Sequence, residues 1–254
     1  MEERSSKAAW ESLWQKRKRI YHYQNVLEIA EQVSLDLEGA RVLEVGCGRG
    51  STLLEFAKKG AIVTGIDYAQ SALSLCNSLK ERDDANGNLG LAKFIQGDAR
   101  DLPFCEEQFD IVYSVGLLEH FEDPCAILAE QCRVLKRGGY LILQVPQKYS
   151  VYTLLKKTLM AVGKWPYGAW ETQFSVGELR DLVTEAGLSV EFAYGYGSFA
   201  LALLRHYLFP TLDHGMGGWH KENGALASRI RANIGLDAGV VARKNHSSQP
   251  ANLC

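Results

Sequence analysis

Apolar residues recur along the chain in two alternating patterns. Short runs rich in β-branched and aromatic residues, each closed by Gly, Asp or Pro, occur at ARVLEVG (40–46), AIVTGID (61–67), AKFIQGD (92–98), FDIVYSV (109–115) and GGYLILQVP (138–146); this is the pattern of strands. Between them, STLLEFAKKG (51–60), a segment from Gln70 to about Lys80 and another from Pro124 to Leu135 repeat at helical spacing, the first with a Gly stop. A helical opening precedes the first strand, with Val26, Leu27, Ile29, Ala30 and Val33 on one face. Asp83–Gly90 is polar and rich in Gly and Asn, which predicts a loop. Strand and helix in regular alternation predict a doubly wound α/β fold with a mostly parallel sheet. Runs such as IVYSV and YLILQV, apolar on both alternations, fit strands covered on both faces.

Past Pro146 the rhythm breaks. Residues 147–170 hold a Lys/Leu/Met stretch and then WPYGAW, after which SVGELRDLVTEAG (175–187) reads as a helix and LSVEFAYGYG (188–197) as a strand. Residues 198–236 read as a second irregular insertion, and AGVVARK (238–244) as a last strand before a polar tail. No internal repeat is visible. The expected organisation is a single domain over 1–254, opened by a helical segment (1–39) and carrying two insertions, 147–170 and 198–236.

Composition narrows the class. With 254 residues, 46% apolar and 23% charged, the chain is that of an ordinary globular protein, long enough to bury roughly 70% of its unfolded surface without a disulfide or metal staple. A net charge of −2 argues against nucleic acid as a partner, since such binding needs a surplus of Lys and Arg. Six cysteines (Cys47, Cys76, Cys105, Cys125, Cys132, Cys254) are scattered without C-x-x-C or metal-ligand spacing, as expected of free thiols in a reducing compartment, by default the cytoplasm. The amino terminus lacks a signal-peptide pattern, and no 18 consecutive residues stay apolar. Lys16–Arg19, beside Trp14 and Tyr21, read as a solvated helix face, with a nuclear or lipid-headgroup patch as the alternative.

Candidate chemistry gathers at the strand ends. The first strand runs into Glu44-Val45-Gly46-Cys47-Gly48-Arg49-Gly50, a Gly-rich turn that lets backbone approach a ligand. Dinucleotide folds share such turns, but here a carboxylate stands two positions before the first Gly, where it would accept from a cationic amine and repel a phosphate. Asp67 ends the second strand, where an acid can hold both ribose hydroxyls. Asp98 ends the third, placed to take an exocyclic adenine amine while the Ala99 amide donates to the ring. Three acids at three adjacent strand tips point into one crevice.

On these residues the sequence resembles the class I S-adenosylmethionine-dependent methyltransferases, in particular the small-molecule branch with L-E-H after the fourth strand. The matching pieces are VLEVGCGRG (42–50), GIDYA (65–69), GDARDLPF (97–104), FDIVYSVGLLEHF (109–121) and LKRGGYLILQVP (135–146), followed by FSVGELRDLVTEAGL. The resemblance implies a seven-stranded sheet of order 3-2-1-4-5-7-6 with only the seventh strand antiparallel. It implies S-adenosylmethionine as methyl donor and S-adenosylhomocysteine as product. Glu44 would reach the methionine amino group through the loop or a water, Gly46, Cys47 and Gly48 would pass beneath the methionine moiety, and Asp67 would hold the ribose. Tyr68 would cover the adenine, Asp98 and Ala99 would bind its edge, and Ser114 would supply a main-chain contact. Cys47 is then a small turn residue and no nucleophile. His120 falls where the family places a residue facing the methyl, so it is the candidate base for a phenol or catechol acceptor. Its alternative is a structural histidine bonded to backbone. Glu119 reads as an orienting or capping acid, and His214 and His220 lack the companion ligands of a metal site, so no metal is expected.

The same topology places both insertions over the crevice. They are dense in aromatic and aliphatic residues, among them Tyr149, Leu154, Trp165, Trp170, Phe199 and Tyr207, interleaved with Lys156, Lys157, Lys164 and Arg205. Such a cap suits a small hydrophobic or lipid-like acceptor, and it also fits peripheral contact with a membrane; closing a local mini-core is the alternative. Two rival functions stay open: a methyltransferase-like domain that binds without turnover, and a nicotinamide-dependent oxidoreductase, whose third motif glycine would fall at Ser51.

Overall fold

Consecutive residues of the central strands serve two different cores. The computed structural model describes residues 6–16, 24–33, 36–84, 89, 91–163, 172–197, 219–221 and 236–246. Its strands are β1 (Arg41–Val45), β2 (Ile62–Asp67), β3 (Lys93–Gln96), β4 (Phe109–Val115), β5 (Leu135–Pro146), β6 (Leu188–Tyr196), β7 (Trp219–Lys221) and β8 (Asp237–Lys244). Its helices are α1 (Lys7–Lys16), α2 (Gln24–Gln32), α3 (Ser51–Lys58), α4 (Gln70–Asp83), α5 (Pro124–Val134), α6 (Val151–Ala161) and α7 (Val176–Glu185). Leu43, Val112, Leu141 and Leu143 pack with Ile127 and Leu128 of α5 and Leu179 and Val183 of α7. Their neighbours Val42, Ile111, Tyr113 and Ile142 turn the other way, onto Val26 and Ile29 of α2 and Leu53 and Phe56 of α3. Period-2 alternation with both faces apolar therefore yields a sheet buried on both sides.

The strand order is β3-β2-β1-β4-β5-β8-β6-β7. With β8 as the seventh strand this contains the expected 3-2-1-4-5-7-6 order; β1 to β5 pair in parallel, while β8 runs antiparallel to β5 and β6. Two details correct the sequence reading. A short antiparallel strand, β7, pairs with the free edge of β6 inside the stretch expected to be irregular; three residues are too few to show a period. Strand β5 begins at Leu135, directly after α5, and bulges between the pairs Phe109↔Leu135 and Ile111↔Tyr140, with Gly138 at φ 76°. The LKRGG turn is thus a bulge within a strand, opened by a glycine in a left-handed conformation.

Local capping fixes the helices that frame the cleft. Asp123 accepts from Cys125 N at 2.8 Å with Pro124 in the first turn of α5, and Ser175 and Glu178 form a reciprocal capping box on α7. At the other edge of the cleft Ser150 caps α6, four residues after β5 ends at Pro146. The remainder of the two insertions, 164–171, 198–218 and 222–235, including Trp165, Trp170, Phe199 and Tyr207, lies outside the described residues. Among the described residues no helix is long and apolar enough to cross a membrane.

Candidate active site

The turn after β1 is held by backbone bonds across to β2. Gly46 N and Cys47 N both donate to Ile66 O, at 2.8 and 3.0 Å, and Gly50 N donates to Cys47 O at 2.8 Å. Gly46 and Gly48 have φ of 74° and 51°, and a Cβ at Gly48 would stand 2.6 Å from Trp14 Cη2. Asp67 closes the turn: Oδ2 accepts from Gly48 N at 2.8 Å and Oδ1 from Ala69 N at 2.9 Å. Burial raises its pKa against the pull of those backbone donors. Each carboxylate oxygen keeps a second lone pair, so the group still has capacity to accept hydroxyls.

Glu44 stands on β1 just before this turn and is buried. Its Oε2 has no hydrogen-bond partner. Burial pushes its pKa up to about 8, with the adjacent Tyr113 hydroxyl pulling the other way and Asp67 adding to the rise. An orphaned carboxylate oxygen beside a glycine turn is a poor neighbour for phosphate and a good one for an ammonium group. Cys47 lies beneath Gly65 against Cys76, whose neighbourhood and the burial around it push the Cys47 thiol well up. Cys76 Sγ donates to Gly48 O at 3.1 Å. A thiol held protonated in this way fits a turn residue and not a nucleophile.

At the end of β4, Leu118–His120 form a single 3-10 turn. His120 Nε2 lies 3.7 Å from Glu119 Oε1, and both side chains are largely buried. Helix α1 then crosses from one side of the cleft to the other. Glu11 accepts from Gln70 N and Ser71 N, at 2.5 and 3.1 Å, capping α4, whose own N-cap residue Ala69 offers no side-chain acceptor. Lys7 Nζ is 5.7 Å from the Tyr68 ring centroid, Trp14 lies against Gly48, and the Trp10 ring meets His120 edge to face with centroids 4.7 Å apart.

The sequence-derived residues divide accordingly. Glu44, Gly46, Cys47, Gly48, Asp67 and Tyr68 meet at the carboxyl ends of β1 and β2, with His120 at the end of neighbouring β4. Asp98 is engaged by Arg100, through Nη2 to Oδ2 at 2.7 Å and Nε to Oδ1 at 3.0 Å, and this guanidinium holds its carboxyl below the usual range. Ala99, next to it, packs against the core on the α5 side. Ser114 is buried within β4, opposite Leu143 of β5, and its hydroxyl accepts from Gln131 Nε2 at 3.3 Å. Among the described residues no group of His, Cys, Asp and Glu could hold a metal.

Sequence reasoning missed α1 altogether as a wall of the site. The signal was Trp10 and Trp14 at i, i+4 in the helix KAAWESLWQK, a spacing that puts both rings on one face. It also missed a polar set at the cleft end of β5, β6 and β8, where Gln144 Nε2 donates to Asp237 at 3.0 Å and Tyr194 hydroxyl donates to Gln144 at 3.1 Å. Burial pushes the Asp237 carboxyl up to about 7, against the Gln144 bond.

The sheet order and the turn with its facing acids define a Rossmann-like methyltransferase fold. Residues 43–143 match the methyltransferase domain family, a match that covers less than half of the chain. The chain is 37% identical over 109 residues to a fatty-acid O-methyltransferase of Mycolicibacterium smegmatis, covering 42% of this chain and 37% of that one. It is 39% identical over 108 residues to a phthiotriol/phenolphthiotriol dimycocerosates methyltransferase of Mycobacterium tuberculosis, covering 42% and 37%. The matches thus span 37% of the length of these two curated relatives. In fold it is similar to a solved methyltransferase of Thermotoga maritima described as a possible histamine N-methyltransferase, with TM-score 0.61, 20% identity and 94% of each chain covered.

Proposed function

We propose that this protein transfers the methyl group of S-adenosylmethionine to a small, hydrophobic or lipid-like acceptor, leaving S-adenosylhomocysteine. The observation that carries the reading is the unpartnered, buried Glu44 oxygen beside the Gly46–Gly48 turn, with Asp67 at the next strand end. Bound there, the donor supplies a sulfonium methyl already activated for in-line displacement. The chain's own work is then to bind and orient: Glu44 accepts from the donor's amino group, Asp67 from its ribose, and Tyr68, Asp98 and Ala99 serve the adenine, with the Ser114 main chain beside them. Asp98 would do so while remaining paired with Arg100, through its remaining lone pairs. Most of the rate advantage in such a transfer comes from holding acceptor and methyl at about 3–3.5 Å in line.

His120 takes the acceptor's proton in this reading, with Glu119 as an orienting group beside it. The described part of the 147–170 segment, residues 147–163, forms the acceptor side of the site. Supporting this, the chain returns from it to the catalytic turn: Thr172 N donates to Glu119 O at 2.7 Å, and Lys148 N donates to Phe174 O at 2.9 Å. The 198–236 insertion leaves β6 at the same edge of the sheet. A relative named for fatty acids and another named for dimycocerosates support an apolar acceptor. Free thiols at Cys47, Cys76, Cys105, Cys125 and Cys132 fit work in a reducing cytoplasm.

The test is incubation of the purified protein with S-adenosylmethionine labelled in its methyl group and a lipid-containing cell extract, with the labelled product identified by mass. A labelled apolar product is expected. Donor binding without any labelled product would favour the second reading, a binding domain without turnover.

A further inference from the structure

Helix α6 is built with its apolar side outward. Of the large hydrophobic side chains that stand exposed among the described residues, five of six fall between Tyr149 and Val162: Tyr149 66%, Leu154 66%, Leu155 44%, Met160 47% and Val162 60%. Among the described side chains of the same helix the buried ones are polar, Thr153 at 1% and Lys156 at 2%, with the capping Ser150 at 1%. Ser150 Oγ donates to Thr153 Oγ1 at 3.1 Å and Thr153 Oγ1 to Gln147 O at 2.7 Å, so the inward face is anchored by hydrogen bonds. Leu154 and Val162 are eight residues apart, and Leu155 is adjacent, so at 3.6 residues per turn they share one exposed face. A helix of a globular protein turns its apolar stripe inward. This one has the reverse arrangement, so its outer face gains free energy only when something apolar covers it.

Charge selects what that is. From Gln131 to Trp170 the sequence contains no Asp or Glu, although the chain as a whole is net −2. Residues 147–170 hold four lysines, Lys148, Lys156, Lys157 and Lys164. Lys157 is exposed on α6, and Lys148 is paired with Glu178 at its foot. A short helix with exposed Leu, Met and Val, an exposed Lys157 and no acid is the composition of a segment that lies in a lipid headgroup region, held by apolar insertion and by attraction to anionic lipid. A second copy of the chain is a weaker fit, because five exposed side chains between Tyr149 and Val162 fall far below the roughly 20–30 residues a side of a stable protein interface.

We infer that α6 docks the protein on an anionic lipid surface with the acceptor edge of the cleft toward the bilayer. The inference deepens the proposed reaction by naming where its acceptor is drawn from, and its binding part rests on α6 alone. The helix starts just beyond β5, at the carboxyl edge of the sheet where Glu44 and His120 also lie, so an apolar molecule leaving the bilayer beside Leu154 need not cross water to reach the site.

Flotation of the full chain with vesicles tests it, using phosphatidylcholine alone and phosphatidylcholine with phosphatidylglycerol. Binding is expected to the mixed vesicles, to weaken several-fold in 0.5 M salt, on the order expected for screened charge, and to fall about tenfold or more in Leu154→Ser/Leu155→Ser. Lys157→Glu is expected to weaken binding to the anionic vesicles only. All three residues are exposed, so melting temperature, and its rise with S-adenosylmethionine, is expected to stay at the wild-type value. Failure of the donor to bind, with vesicle binding intact, would sink the methyl-transfer reading and leave the docking one standing. No vesicle binding, or binding indifferent to the leucine variants, overturns the inference. A concentration-dependent dimer abolished by those variants overturns it as well, in favour of a second copy.

Discussion

The edge of the Trp10 indole rests on the His120 imidazole, with centroids 4.7 Å apart and planes at 81°. A residue near the amino terminus of the chain therefore fixes the attitude of the one histidine placed beside the cleft by β4. Edge-to-face pairs of this kind contribute about 0.5–1.5 kcal/mol beyond their buried area, enough to favour one ring orientation strongly over the others.

If His120 is the base, its loss and the loss of its support must differ in size. His120→Ala is expected to leave donor affinity near wild type and lower kcat by about 10²–10⁴ for an acceptor that must lose a proton. Trp10→Ala is expected to lower kcat by roughly threefold to tenfold, the size of the lost aromatic contact, with the imidazole still able to act. Steady-state kinetics of both variants with the identified acceptor check this. Wild-type turnover and an unshifted pH profile in His120→Ala would leave the histidine a structural part only.

Gly48 separates two causes of strain. Its φ of 51° costs any L side chain about 1 kcal/mol, and its Cβ would meet Trp14 Cη2 at 2.6 Å. Gly48→Ala is expected to lower stability by about 1–3 kcal/mol, combining both. Denaturant unfolding of the Gly48→Ala/Trp14→Ala pair resolves them. Partial rescue in the double variant, measured against Trp14→Ala alone, is the expected sign that the clash matters. Full additivity would mean that α1 moves away at no cost.

Much of this was legible in the sequence, for physical reasons that can be named. The five parallel strands showed because burial on both faces forces long apolar runs, as in Val112–Val115 and Leu141–Val145. Glu44 and Asp67 showed because a strand, a Gly-rich turn and a helix must follow each other in sequence to build one ligand cradle. The docking of helix α1 on the site did not show, since its bonds run to residues some sixty positions away, Glu11 to Gln70 and Ser71, and no local pattern encodes a cap supplied from another helix. The pairing of Asp98 with Arg100 was also hidden: the spacing allowed it, but a spacing of two does not distinguish a side-chain fork from two independent solvated charges. The short β7 and the bulge in β5 fell below the length at which period carries information.

Asp67 has a double duty, and its variants should show both parts. Because it accepts from Gly48 N and Ala69 N, Asp67→Ala is expected to lower the melting temperature of the free protein and also to weaken S-adenosylmethionine and S-adenosylhomocysteine binding by about 1–3 kcal/mol, the cost of hydrogen bonds lost to a carboxylate. Asp67→Asn, which keeps one acceptor oxygen, should fall between. NAD should leave the wild-type melting temperature unmoved. Calorimetric titration reads the affinities, and unchanged donor affinity in Asp67→Ala would remove this residue from the ligand site.

Glu44 makes the protein's stability and its donor affinity respond to pH in opposite directions. In the free protein its pKa is raised to about 8, against about 4.3 in an unfolded chain. Between those values the native state holds a proton that the unfolded state has released, so the unfolded state binds fewer protons and stability falls as pH rises through that window, by at most about 1.4 kcal/mol per unit. Asp237, pushed up to about 7, contributes in the same direction over its own window. An ammonium group placed against the orphaned Glu44 oxygen favours the carboxylate, so binding the donor expels the proton. Donor affinity should therefore rise with pH between about 6 and 7.5, by up to tenfold per unit, before the donor's own amine, near 7.7–8.0, begins to lose its charge. Calorimetry in two buffers of different ionisation enthalpy is expected to find close to one proton released per donor bound at pH 6.5. Glu44→Gln should abolish that release and flatten part of the stability curve, leaving the Asp237 share in place. A wild-type protein that binds the donor without releasing a proton would show that Glu44 does not meet the amine.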